Sequence, residues 1–397
     1  MEKFTRREFL LNIAAGSAAL ALHHLAPGTK PAVGRPFQPE SIPLSRVVHV
    51  HNYQATFWDY STGWYGDYVN QAAVDQMTDR GLMDLTGAFN LADAWRVLIP
   101  EYISGQKVAI KINLNNASCY SDGQVIDALP QPVNSAIRGL KAIGVAEGDI
   151  CVYDCTQGWH LGEMPQRLAQ KITAIYPGVQ FSPPAAACSP ATDYSGSEYI
   201  HFNVPPDRTI SDRPICNALV NATYLINVPI MKKHGMAGVT LGFKNHFGSF
   251  DGCDQVHWSI ELGDPGYLSS YNGLVDIYQN RHFKDKTVLT IGDALYGARF
   301  NNYDEVPNPW PTFGDHSPNS LFFSRDPVAI DCVMYDFLDA EGGVPAGSDD
   351  YLKLASTSGF GTFEHRDASQ QYHIIDYRRI DLPETMQRVF LPLITSR

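Results

Sequence analysis

Lys107–Asn113, K-V-A-I-K-I-N, is a β-branched apolar run that ends on polar residues, and its reading decides the fold. A continuous apolar run of this length predicts a strand buried on both faces. A polar loop follows to Gly123, then apolar residues at helical spacing over about Val133–Ile143. The unit then repeats, with Asp149–Cys155, D-I-C-V-Y-D-C, as strand and Met164–Ile175 as helix. Strands alternating with helices predict a parallel sheet. Upstream, Arg46–His51 reads as a first strand, and Val74, Met77 and Leu82 recur at helical spacing. A further helix over Leu91–Leu98 is stopped by Pro100. Downstream, strands are expected at Tyr224–Val228, Thr287–Ile291, Ser320–Phe323 and Tyr372–Tyr377, with helices over Gly273–Asn280 and Val328–Leu338. Residues 181–214, rich in proline and serine, hold one expected strand at Tyr199–Val204. The expected class is α/β, a mainly parallel sheet with helices on both faces and long loop insertions.

The 397 residues carry 44% hydrophobic and 18% charged side chains and a formal net charge of -12. The acidic balance argues against a general nucleic-acid binder. No apolar run reaches the roughly 18 residues that span a bilayer. The start of the chain is different. Thr5-Arg6-Arg7-Glu8-Phe9-Leu10 precedes an uncharged run, Leu11–Leu22, and a small-x-small site at Ala19-Leu20-Ala21. This is similar to a twin-arginine export leader over residues 1–21, followed by a linker over 22–45. The alternative is a short N-terminal helix with solvated arginines. The leader implies the twin-arginine translocase as partner and a periplasmic or otherwise exported location. Seven cysteines, an odd number, leave at least one unpaired by disulfides even in an oxidising compartment.

Asn227–Cys253 holds five glycines, three lysines and two histidines, and has no acidic residue from Asn227 to Ser249. A basic island in an acidic chain points to a small anionic ligand. If the segment is helical, Gly238, Gly242 and His246 share one face. Glycines there imply close approach of a ligand or of a packed element. Lys232, Lys233 and Lys244 are candidate anion-binding residues, or else a solvated basic face. His234, Lys244 and His257 are candidate acid–base groups. His246, Cys253 and His257, with Asp251 nearby, are candidate transition-metal ligands, although their spacing matches no established finger.

In open α/β sheets ligands collect beyond the carboxyl ends of strands. That rule adds Lys111, Asn113 and Arg325 as candidate substrate-binding residues, with Asn245 from the central stretch. It adds Asp154 and Asp293 as carboxylates that orient partners or act as base. Asp326 before Pro327 reads as a helix N-cap followed by proline at N1 rather than as a site residue. There is no G-x-S-x-G, no dinucleotide fingerprint, no C-x-x-C and no ferredoxin-like cysteine run.

Ile226–Gly248, together with Val108–Leu114 and Arg325-Asp326-Pro327-Val328-Ala329-Ile330-Asp331, resembles the domain-of-unknown-function 362 family. The resemblance covers about residues 46–345, leaving 346–397 as a C-terminal extension expected to pack on the same domain. His257 and Asp293 fit a histidine and an aspartate of the family pattern. Many members carry ferredoxin-type clusters in an added segment that this sequence does not show. The expectation is an exported redox or metal-assisted enzyme acting on a small anionic substrate or cofactor. The alternatives are a non-catalytic binding or delivery protein for an anion, metal or cofactor, and a scaffold for a partner redox subunit that docks on aromatic-rich Tyr53–Tyr68.

Overall fold

Apolar side chains on successive strand positions enter two separate cores. Val108 and Ile110 enter one and Ala109 the other; Ile150 and Val152 oppose Tyr153, and Ile226 opposes Leu225. This is the pattern of a sheet covered on both faces. The computed structural model describes residues 42–114, 125–155, 166–184, 193–300 and 306–382. Residues 1–21, expected to form an export leader, most of the expected linker, Cys119 and Cys188 lie outside the described residues.

In chain order the strands are β1 (Val47–His51), β2 (Val108–Lys111), β3 (Ile150–Tyr153), β4 (Gln180–Ser182), β5 (Tyr194–Ile200) and β6 (Arg213–Cys216). They continue as β7 (Tyr224–Asn227), β8 (Ile230–His234), β9 (Gly238–Thr240), β10 (Thr287–Ala298), β11 (Ser320–Ser324) and β12 (Tyr377–Asp381). The main sheet runs β12-β1-β11-β10-β7-β2-β3-β4. From β10 to β4 every pair is parallel. β11 is antiparallel to both of its neighbours. β8 carries the chain beyond the end of β7 and pairs with the second half of β10, Ile230 opposite Asp293. β9 folds back on β8 as a hairpin. β5 and β6 form a small separate sheet.

Helices Gln71–Thr86, Leu91–Leu98, Pro130–Ala142 and Gln166–Thr173 cover the first core. Helices Gly273–Gln279, Pro327–Ala340 and Asp350–Thr357 contribute to the second. Each starts for local reasons. Asn70 and Asn90 accept the Ala73 and Asp93 amides, capping the first two helices. Val74, Met77, Leu82 and Leu85 then bury one stripe, roughly 1.5–3 kcal/mol for each large side chain. Asp326 accepts the Val328 and Ala329 amides and Pro327 occupies N1, so the capping reading of Asp326 holds. Among the described residues no helix is long and apolar enough to cross a membrane.

Four local expectations change. The strand expected at Thr287–Ile291 continues to Ala298, because Gly292 is buried against Met334 and Phe322 and does not end the strand. The strands expected at Tyr199–Val204 and Tyr372–Tyr377 are Tyr194–Ile200 and Tyr377–Asp381. Gly238, Gly242 and His246 share no helix face. Gly238 begins β9 at φ 77°, and Gly242 starts a one-turn helix, Gly242–Asn245, that runs into a 3-10 turn at His246. The β-branched pair Val239-Thr240 and a left-handed glycine favour the hairpin over a continuous helix.

Candidate functional site

At the carboxyl ends of β2, β3 and β7 a chain of buried polar groups locks the Gly242–Asn245 turn to the sheet. Lys111 Nζ lies 3.4 Å from Asp154 Oδ1, both side chains almost wholly buried. Asp154 Oδ2 accepts the Leu114 amide at 2.6 Å. Asn245 Oδ1 accepts from Lys111 Nζ at 3.3 Å and from Asn113 Nδ2 at 3.2 Å. Asn245 Nδ2 donates to Asn227 Oδ1 at 2.7 Å, and Asn227 Nδ2 donates to the Gly242 carbonyl at 2.9 Å. From the other side, Asp331 accepts the Gly242 and Phe243 amides at 2.7 and 3.0 Å and the Tyr351 hydroxyl at 3.1 Å. Burial lowers the Lys111 ammonium, and Asp154 opposes that. Burial pushes the Asp331 carboxyl up to about 7 against its two amide bonds. A Cβ on Gly242 would stand 2.7 Å from Asp331 Oδ1, so this glycine is needed for the approach of a side chain. Lys111, Asn113, Asp154 and Asn245 therefore act together as the frame beneath the site.

Above that frame the hairpin, the turn and the 3-10 helix Cys253–Ser259 bring a second group together. His234 Nδ1 accepts the Met236 and Ala237 amides at 3.2 and 3.1 Å. A neutral ring that accepts at Nδ1 carries its proton on Nε2. His257 has the opposite arrangement. Its Nδ1 is 2.7 Å from Glu261 Oε1, so Nδ1–H donates to the carboxylate and Nε2 keeps the lone pair. The two rings are 6.4 Å apart. Burial and the neighbouring Lys244 and Lys232 hold His234 well below the usual histidine range. Burial and Lys244 also lower His257, outweighing the pull of Glu261, so this contact joins a neutral imidazole to a carboxylate. Lys244 lies 5.2 Å over the Phe247 ring, and that ring meets His257 edge-on at 5.5 Å. Burial and then Lys232 push the Lys244 amine down to about 8.

Glu261 and Asp127 lie beside the candidate site residues and were not singled out from the sequence. For Glu261 the signal was the i, i+4 spacing from His257. Asp127 is buried, accepts from Arg167 at 2.6 Å and from the Tyr65 hydroxyl at 3.0 Å, and lies within electrostatic reach of Lys232. No local pattern marks it.

Other candidates go elsewhere. Lys233 faces away from Lys232 along β8 and donates to the Glu341 carbonyl at 3.3 Å. Arg325 is exposed and follows Ser324, the last residue of β11; Ser324 is level with Thr290 of β10, and through it with Asn227 and Lys111, but β10 separates it from those strand ends. The strand-end rule applies to parallel strands, and β11 is antiparallel, so Arg325 points to solvent and not into the buried cluster. His246 is buried edge-on against Phe283 at 5.0 Å, its pKa pushed down to about 3 by burial. Cys253 is buried with its thiol pushed up to about 11. Among the described residues no group of three or more His, Cys, Asp or Glu side chains is arranged to hold a metal ion. His246, Cys253 and His257 do not form a ligand set, and the described cysteines do not fit an iron–sulfur cluster.

Asp293 sits on β10, where its carboxylate accepts the Leu295 amide at 3.0 Å, and burial pushes it up to about 7. Raised above its usual 3.8, it holds a proton in the folded state that the unfolded chain has released. Stability is therefore lost as pH rises from about 4 to 7. Asn at this position keeps the acceptor and cannot ionise. Asp293→Asn is expected to be near neutral at pH 4 and stabilising by about 1–4 kcal/mol at pH 8. Urea unfolding at the two pH values checks this; equal effects at both would rule out a buried ionisation.

Sheet, cores and site together define an α/β protein with a lysine–histidine cluster above the parallel strand ends. A family profile described as Domain of unknown function (DUF362) matches residues 108–336, more than half of the 397, and the chain belongs to this family. No curated protein matches it. Among solved structures, the chain is similar to the lactate racemase apoprotein from Thermoanaerobacterium thermosaccharolyticum, at 13% identity and a TM-score of 0.38. That match covers 78% of this chain and 62% of that one.

Proposed function

We propose that this protein is an enzyme performing proton transfer on a small anionic substrate, exported through its twin-arginine-like leader. Lys232 and Lys244 hold the anion, His234 Nε2–H donates a hydrogen bond to it, and His257 Nε2 accepts a proton. Glu261 orients the His257 ring and fixes its tautomer. The observation that carries this reading is the opposed pair of tautomers: one imidazole presents a donor and the other a lone pair, beside a buried lysine. Neutral imidazoles suit the role because both rings are lowered and neither is protonated near pH 7.

The test needs no knowledge of the product. The mature protein is incubated in D2O with a panel of small carboxylates, and loss of C–H signals next to the carboxylate is followed by NMR. Exchange that requires His257 supports the enzyme reading. Binding of a carboxylate or of inorganic phosphate without exchange overturns it in favour of a binding or delivery protein. Fusion of residues 1–45 to a reporter, with Arg6 and Arg7 both replaced by Lys in a control, tests the export step.

A further inference from the structure

We infer that Lys244 forms an imine with the carbonyl carbon of a small 2-oxo carboxylate, whose carboxylate is held by the Lys232 ammonium. This rests on the proposed anion site and names its substrate class.

Three observations point there. Lys244 is only 8% exposed, yet among the described residues its ammonium has neither a hydrogen bond nor an ion pair. Its polar contact is with the face of Phe247 at 5.2 Å. The other buried lysines of the region differ: Lys111 is bonded to Asn245 and faces Asp154, and Lys233 is bonded to the Glu341 carbonyl. A buried amine without a protein partner is costly unless a ligand completes it. Second, Lys244 is held on a turn fixed by Asn245 and Asp331, so its stem has a rigid base. Third, a second cation, Lys232, lies close enough to act on it, which together with an apolar wall is how lysines are kept as free amines for carbonyl chemistry.

The step balances without an oxidant or reductant. Lys244 first passes its ammonium proton to His257 Nε2; the Nζ lone pair then attacks the carbonyl carbon and the N–C bond forms. The carbonyl oxygen takes up a proton and the nitrogen loses one, giving a carbinolamine. Loss of that oxygen as water leaves the imine. His257 Nε2 is the proton carrier on this side of the site.

The experiment is reductive trapping of the mature protein with pyruvate or glyoxylate and sodium borohydride, read by intact mass and peptide mapping. The expected result is one reduced adduct per chain, on the peptide holding Lys244. Lys244→Arg is expected to reduce trapping at least tenfold while circular dichroism shows an unchanged fold. Adducts spread over surface lysines, equal labelling of the Lys244→Arg variant, or no adduct at pyruvate concentrations that shield Lys244 from acetylation would each overturn the imine. His257-dependent exchange that persists without an adduct removes the imine and leaves the acid–base reading. An adduct without exchange does the reverse.

Discussion

Replacing His257 by Asn is expected to lower deuterium exchange into the bound carboxylate by about 10²–10⁴-fold, the usual contribution of a positioned base. Affinity for the anion should change little, because the positive charge comes from Lys232 and Lys244. The companion variant Glu261→Gln isolates orientation from proton transfer. Glu261 raises the His257 pKa, against burial and Lys244. Without that carboxylate the ring becomes a weaker base, and the acidic limb of the pH profile should move to lower pH with a smaller loss of rate. A merely structural role for the pair would lower rate and stability together and leave the profile in place. Rates measured between pH 5 and 9 on both variants decide the matter.

Asp331→Ala is expected to cost about 2–4 kcal/mol of stability, more than any surface substitution should. The side chain is fully buried and serves two backbone amides and one hydroxyl, and its removal leaves all three without a partner inside the protein. The carboxyl is a cap from a distance. It reaches from helix Pro327–Ala340 to the start of the turn that carries Lys244. Chemical denaturation measures the loss; a cost below about 0.5 kcal/mol, the range of ordinary surface changes, would mean the turn is held by Asn227 and Asn245 alone.

Much of this architecture was legible because its signals are local. K-V-A-I-K-I-N and D-I-C-V-Y-D-C are apolar runs of strand length, and helix Leu91–Leu98 has an asparagine cap and a following proline. Lys111, Asn113, Asp154 and Asn245 were singled out by the strand-end rule and the glycine-rich motif as candidates to bind substrate or act as base, and the structure brings the four together as a bonded cluster. Their division of labour was not legible. Nothing local tells Lys111, paired to Asp154, from Lys244, left to an aromatic face. Strand direction and order were the other missing variables: β11 is antiparallel, β10 stands between it and β7, and Arg325 is left exposed. Asp127 and Asp331 act across long sequence separations, and single-sequence periodicity carries no information on that.

β12 has a consequence for how the chain behaves in company. It lies on the outer side of β1, with Arg378 and Arg379 exposed and Arg379 paired to Asp381 at 2.9 Å. The far rim is β4, only three residues long. Both rims of the sheet are thus poor templates, one by charge and one by brevity. A chain ending before Tyr377 would bare V-V-H-V-H, an apolar ribbon with open amides and carbonyls. Such a truncation should self-associate through its first strand more than the full chain does, visible as concentration-dependent light scattering.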